Sequence, residues 1–330
     1  MKRIAVGLSV ALLLTGAVFA QEPKEHELTA QIWYPLATNE SREDISHFNL
    51  FLFYSRLGEV RGVDAGYGFS HISGDMNGVQ WNGLAALTGG ELRGVSATGL
   101  FSGVNGGVTG LQWSGVGNWA GRELRGVQAA GIANVAGDLR GVQAAGVVNV
   151  ARNVRGVQLG LINISDRMEG VPIGLINLSR NGGVQFAGWY GGVTEANMGL
   201  RFRAGNFYTL FAYGYSSDNY RGPSDSFSQA TRVSSSFSFG AQLPLGPASI
   251  NLDGGVLGVD NGELYELNEG VDQVGFQYRA MVELPLFWGL SVFGGIGSHY
   301  LFSAYEEIEE EEVRDGVWDD FYFFGAGIEL

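Results

Sequence analysis

The chain has 330 residues, no cysteine, a formal net charge of −14, and 53 glycines against 7 prolines. The missing cysteine excludes disulfides, thiolate metal sites, cysteine nucleophiles and a cysteine-linked lipid anchor. Acidity without a basic stripe excludes nucleic acid as a partner, and many glycines beside 12% aromatics indicate glycine-rich β-structure, not a disordered chain.

Residues 1–20 read as a signal peptide. Lys2 and Arg3 precede an apolar stretch over 4–17, and Val18-Phe19-Ala20 forms a small-residue cleavage pattern ahead of Gln21. Loss of Lys2 and Arg3 deepens the charge to about −16. The exported protein then rests on sheet hydrogen bonding and burial alone.

Residues 21–60 hold two N-terminal strands, 28–36 and 48–57, separated by a polar stretch. The second carries Phe48-Asn49-Leu50-Phe51-Leu52-Phe53-Tyr54, an aromatic run suited to a strand against an apolar medium.

A glycine-rich repeat array is predicted over 61–196. Tracts beginning Gly-Val or Gly-Leu start at Gly62, Gly78, Gly94, Gly110, Gly126, Gly141, Gly156, Gly170 and Gly183, so the spacing falls from 16 to 13 residues. Such a period implies stacked or meandering units and not one pocketed globule. Gly interrupts every candidate helix at about 1 kcal/mol each, which leaves strand and turn. Alternation from Gly126 puts Val127, Ala129, Gly131 and Ala133 on one side and Gln128, Ala130, Ile132 and Asn134 on the other, so neither face is cleanly apolar. The matched Gln128/Asn134, Gln143/Asn149 and Gln158/Asn163 gain most if each stacks on its own copy in parallel, in-register rungs. The expected fold is therefore all-β, with a glycine-rich short-repeat β-solenoid at its centre; a meander continuous with a barrel is the alternative.

Residues 197–330 read as antiparallel barrel-like strands of the outer-membrane type. Strand-like runs cover 207–215, 233–243, 248–259, 274–284, 290–302 and 321–330, with a shorter one at 198–203. Short turns at 244–247 and 285–289 alternate with long polar loops at 216–232, 260–273 and 303–320. Tyr208, Phe211, Tyr213, Tyr215, Trp288, Tyr300 and Phe302 are placed for interfacial girdles. A last strand paired with the first would leave no open edge.

The tract GVQAAGIANVAGDLRGVQAAGVVNVARNVRGVQLGLINIS resembles the bacterial surface-repeat-containing proteins, with their tandem Gly-Val-Gln…Gly…Asn units. The resemblance covers Phe48 to Gly188 closely and departs from the pattern at Asp64, Ser96 and Pro172, where Gln is usual. It implies a place at the outer membrane or cell surface and brings no catalytic residues with it.

Chemistry is sparse. His26, His47, His71 and His299 lack metal-ligand spacing, so no metal site, cofactor or catalytic residue is expected. His299 with an acidic partner is the one arrangement open to a barrel hydrolase. The acidic run Glu306, Glu307, Glu309, Glu310, Glu311, Glu312, Asp315 reads as a solvated external loop, sharing its face with Asp218, Asp225, Asp260 and Glu263. Asn163-Ile164-Ser165 and Asn177-Leu178-Ser179 match the glycosylation triplet but fall on the repeat's own Asn. Trp81, Trp113, Trp119 and Trp189 punctuate the array as packing or lipid-facing mass. The expected function is structural or interaction work at the bacterial outer membrane or cell surface, without catalysis. Outer-membrane lipid or other envelope components are the expected partners; no protein or glycan is named by the sequence. A porin-like passive channel is the alternative.

Overall fold

The computed structural model describes residues 23–33, 36–38, 41–221, 227–260, 273–303 and 317–330. The leader predicted over 1–20 lies outside them. Two β-assemblies follow one another, a parallel solenoid and a closed antiparallel barrel.

The solenoid opens with β1 (Glu25–Trp33), β2 (Leu36–Ala37), β3 (Ile45–Leu57), β4 (Glu59–Gly66), β5 (Phe69–Ile72) and β6 (Met76–Asn82). It continues through β7 (Ala85–Thr88), β8 (Leu92–Thr98), β9 (Phe101–Val104), β10 (Val108–Ser114) and β11 (Gly117–Ala130). Its remaining strands are β12 (Ala133–Ala145), β13 (Val148–Leu159), β14 (Ile162–Met168), β15 (Val171–Ile173) and β16 (Ile176–Ser179). Successive rungs are parallel and in register: Gly126 faces Gly141, Gln128 faces Gln143 and Asn134 faces Asn149. The two N-terminal strand runs do not stand apart, because β1 and β3 pair in parallel and β3 pairs with β4 and β5 as an ordinary rung. The aromatic run of β3 is the array's first full turn.

The rungs have a fixed inside. One compartment is apolar, with Val60, Met76, Leu92, Val108, Leu124, Leu139, Val154 and Met168 stacked above one another. The other is polar and equally buried. Gln158 donates to Gln143 at 2.8 Å, Gln143 to Gln128 at 2.8 Å, and Gln128 to Gln112 at 2.9 Å. Gln112 continues to Ser102, Ser102 meets Ser96, Ser96 donates to Gln80, and Gln80 donates to Asp64 at 3.1 Å. A one-way relay of donors needs a terminus that only accepts, and an ionised carboxylate is such a group. Asp64 also receives Asn49 and Asn82, which gives the departure from Gln at this position a physical reason. The Asn column runs the opposite way, from Asn118 to Asn134, Asn149, Asn163 and Asn177 at 2.8–3.1 Å.

Each repeat needs its first glycine. Gly126 has φ +136°, and a Cβ there would lie 2.0 Å from the carbonyl oxygen of Gly110 on the rung below. At the opposite corner the chain bends at Gly131-Ile132: Gln128 and Asn134, in the same phase of the alternation, both point inward, while Ile132 between them is turned outward by the bend. Neither face looked apolar in the sequence because this inward side carries the buried amides and Ile132 leaves it at the corner.

The barrel closes as β17 (Gly183–Tyr190), β18 (Ala196–Ala204), β19 (Phe207–Arg221), β20 (Phe227–Leu245), β21 (Ala248–Asp260), β22 (Gln273–Pro285), β23 (Leu290–Ser303) and β24 (Val317–Glu329). β24 pairs with β17, so no edge remains. Three differences from the sequence-based expectation stand out. The tract at Gly183 is the first barrel strand and not a ninth rung, which moves the barrel's start from 197 to 183. The polar stretch 216–232 is largely strand, since β19 and β20 stay paired as far as Arg221 and Phe227. Tyr208 points into the barrel, where its hydroxyl donates to Asp253 at 2.8 Å, and is no girdle residue.

The array docks end-on against the barrel's outer wall. On β19, Tyr208 faces inward, so its neighbour Thr209 faces outward, yet Thr209 is fully buried and donates to the Leu175 carbonyl at 2.8 Å. Ala204, on the outer face of β18, completes the apolar column beyond Met168. Gly205, in the turn between β18 and β19, lies so close to Met168 that a Cβ would sit 2.5 Å from its carbonyl oxygen.

Candidate functional site

No catalytic centre emerges among the described residues, and the two candidate surfaces are the barrel's lumen and the outside of the array. The lumen is filled. Arg201 pairs with Glu283 at 2.8 Å, and Gln185, Asn251 and Ser291 saturate the same carboxylate. Arg279 pairs with Asp253 at 2.8 Å. Both guanidinium groups lie over rings, Arg201 on Tyr208 and Phe293, Arg279 on Trp189 and Phe323. Eight strands leave an interior that side chains can occupy completely. Glycines on the lumen face make the room: a Cβ at Gly240 would meet the Tyr208 ring at 2.3 Å, and one at Gly297 would meet Phe321 at 2.3 Å. Outside, the wall is apolar, carrying Leu200, Leu252, Val256, Val282, Val292 and Ile296. Aromatics gather at both ends, with Tyr213, Tyr215, Trp318 and Tyr322 near the long loops and Phe287-Trp288 on a short turn. Trp288 holds φ 54° and is 92% exposed. A bulky residue in the left-handed region is an outlier that a turn imposes, and here it projects the indole away from the barrel.

Short turns and long connections segregate. Residues 205–206, 246–247 and 286–289 join strands at one rim, and the array enters β17 at that same rim. The C-terminal ends of β17, β19, β21 and β23 lie at the other, and the sequence between each and the next strand runs to 5, 5, 12 and 13 residues.

The array has two chemically distinct edges. Around the Gly131-Ile132 corner, Leu84, Leu100, Val116, Ile132, Val147, Leu161 and Leu175 form one exposed column, each between 41 and 52% exposed. One flank adds Val79, Leu111 and Val127 beside Trp81, Trp113 and Leu159; the other adds Leu87, Trp119, Val135 and Ile164. The opposite edge is a lattice of surface ion pairs. Arg125 and Arg140 share Glu123, Arg155 and Arg167 share Glu169, and Arg61 and Arg93 hold Glu59 and Glu91. Trp189, counted with the array by sequence, belongs to the barrel lumen.

The histidines are dispersed. His26 Nε2 meets Asp44 at 3.1 Å, His47 lies 3.6 Å from Glu25, and His71 sits half-buried on an array face, where burial lowers its pKa. His299 points into the barrel beside Phe321, its Nδ1 has no hydrogen-bond partner, and its nearest carboxylate, Asp319, is 3.9 Å away. That is no general-base dyad. Among the described residues no group of three His, Asp or Glu side chains can hold a metal. Asn163 and Asn177 are fully buried in their ladder and unavailable to glycosylation. The acidic run 306–315, with Asp225 and Glu263, lies outside the described residues. The amphipathic exterior was missed by sequence reading. Its signal was present in the Gly-Leu, Gly-Val and Gly-Ile pairs that recur at the corner of each repeat.

An eight-stranded, up-and-down antiparallel barrel with an apolar exterior and a polar, packed interior is the architecture of transmembrane β-barrels. No family model matches the chain, and a search of curated proteins returned no match. Among solved structures the chain is similar to outer membrane protein H (OprH) from P. aeruginosa, at 12% identity and a TM-score of 0.31 over 45% of this chain and 99% of that one. It is also similar to a major outer membrane protein from Thermus thermophilus (14%, TM-score 0.28, 44% and 99%) and to Ail of Yersinia pestis (13%, TM-score 0.27, 45% and 99%).

Proposed function

We propose that the chain is an outer-membrane protein whose barrel is a closed anchor and whose solenoid is a rigid arm on the periplasmic side, serving a structural or interaction role without catalysis. The observation that carries this reading is the junction: the array runs into β17 at the short-turn rim. Bacterial outer-membrane barrels keep short turns in the periplasm and longer loops outside. The proposal keeps the kinship with surface-repeat proteins suggested by the repeats but turns the array inward from the cell exterior. A packed lumen argues against a passive channel, and the isolation of His299 argues against a hydrolase.

The cysteine-free chain permits a direct test with single-cysteine variants and a bulky, membrane-impermeant maleimide. Glu195→Cys, on the connection after β17, should react in intact cells. Asp138→Cys, on the charged edge of the array, should react only after the outer membrane is opened. Labelling of Asp138→Cys in intact cells would place the arm outside and overturn the proposed polarity.

A further inference from the structure

The array's two edges are not oriented at random relative to the barrel. At the junction the charged edge, with Glu169 and Arg180, is level with Gly182 and Gly205 at the short-turn rim. The apolar corner, through Leu175, meets Thr209, which lies further along β19 towards the membrane. Phe202 and Phe211, edge-to-face at 6.1 Å on the same outer wall, flank that contact. The corner therefore begins at the depth where the barrel wall has already become apolar, while the ion pairs face away.

Rungs stack outward from this wall, so the array's long axis leaves the barrel sideways. The outward column Leu28, Phe48, Val63, Val79, Val95, Leu111, Val127, Val142, Val157 and Val171 follows the rungs from one end to the other. At the usual strand spacing of roughly 4.8 Å it is ~43 Å long. The corner column beside it carries no charged side chain from Leu84 to Leu175. Monomeric soluble proteins rarely leave an apolar strip of this extent open to water.

From this geometry we infer that the solenoid lies along the periplasmic leaflet with its Leu/Val/Ile corner sunk into the acyl–headgroup boundary. The inference rests on the barrel spanning the outer membrane. The occupant of the apolar strip is lipid, because the strip is continuous with a wall that faces lipid and sits on the membrane side of the arm. Its Trp81, Trp113 and Trp119 stand on the two flanks of the corner, at the level expected for interfacial indoles. The reciprocal Arg/Glu lattice on the far edge suits water. This is the interfacial arrangement of amphipathic helices carried out by a β-structure. Phe287 and Trp288 lie on the turn between β22 and β23, half-way round the eight-strand circuit from β18 and β19, so the anchor and the arm would hold the same leaflet from opposite sides.

The experiment uses the full chain refolded into phosphatidylethanolamine–phosphatidylglycerol vesicles, with a nitroxide at one introduced cysteine. Collision with oxygen reports lipid, and collision with a water-soluble nickel chelate reports solvent. Val256→Cys, on the outer barrel wall, is the control for membrane insertion, and Asp138→Cys is the control for water. Leu100→Cys and Ile132→Cys should show an oxygen-to-nickel ratio shifted several-fold from the Asp138→Cys value towards that of Val256→Cys. If Val256→Cys is lipid-exposed but both corner labels collide freely with nickel, the arm stands in water and the inference fails. If the corner labels are shielded from both probes, protein covers the strip, and the inference fails in favour of self-association. Nickel access at Val256→Cys itself would instead refute the transmembrane reading on which the inference rests.

Discussion

Replacing Gln143 by Leu measures what the buried glutamine relay contributes. Gln143 donates to Gln128 and accepts from Gln158, both at 2.8 Å, and its side chain has no access to water. A leucine of similar size leaves the Gln128 carbonyl oxygen without its ladder donor and the Gln158 amide without its acceptor. Two stranded buried groups cost about 1–3 kcal/mol each. The added apolar burial offsets ~1–2 kcal/mol of that, which leaves a net loss of roughly 1–4 kcal/mol. The control is Gln158→Leu. Gln158 stacks on Pro172, so its own carbonyl oxygen is already unpartnered, and its loss strands one group in place of two. The expected cost there is about 0–1 kcal/mol by the same magnitudes. Amide hydrogen exchange across β12 and β13 reads both, because each rung is stabilised mainly by its neighbours. Equal opening free energies for the two variants would refute the relay as a stabilising device.

Gly126→Ala should cost on the order of 3 kcal/mol, since it combines a strained φ with backbone contact; Gly246→Ala, at φ +65° with nothing within 4 Å of the new Cβ, is the milder comparison in a denaturant titration. Asp64 is fully buried, and desolvation raises its pKa above 3.8. Because the native state then holds a proton that the unfolded state has released, this group adds stability as pH falls through its folded value and the gain is complete below 3.8. Asp64→Asn should lose that acid-side gain, so the denaturation midpoint of the unaltered protein should rise relative to the variant's as pH falls; a constant difference would refute the assignment. Glu283→Ala strands Arg201 inside the barrel at a cost of about 3–5 kcal/mol, which a lower unfolding midpoint in detergent would register. Planar bilayers containing the unaltered protein should show no stepwise conductance, and regular steps would mean that the packed lumen opens.

Much of this architecture can be read from residues. The Gln and Asn spacing specifies parallel, in-register rungs because only that pairing stacks each amide on its own kind. The barrel strands from β18 to β24 follow from alternation and turn lengths. The boundary between the assemblies was misplaced because Gly183-Val184-Gln185 repeats the opening of a rung. A Gly-Val-Gln start fits either sheet, and its partner decides: β17 finds antiparallel neighbours in β18 and β24 where a rung would find its own copy. The polar stretch 216–232 looked like a loop because Ser, Asp and Asn crowd it, yet β19 and β20 stay paired through most of it, and backbone pairing does not require apolar side chains. Tyr208 was assigned to the interface from its place near a strand end, which says nothing about side. The amphipathic exterior was hidden at the corner, where Ile132 shares the alternation phase of the buried Gln128 and Asn134 yet is turned outward by the bend.

Repetition also makes the arm adjustable in length. Because each rung touches only the rungs beside it, the gain or loss of one 15-residue unit, such as that from Gly126 to Gly141, lengthens or shortens the arm by one strand spacing, about 4.8 Å. The Thr209–Leu175 dock, the barrel and the polarity of the two edges would all be unaffected. The length of the arm is thus a counted quantity in this fold, set by the number of copies and independent of the barrel that fixes one end.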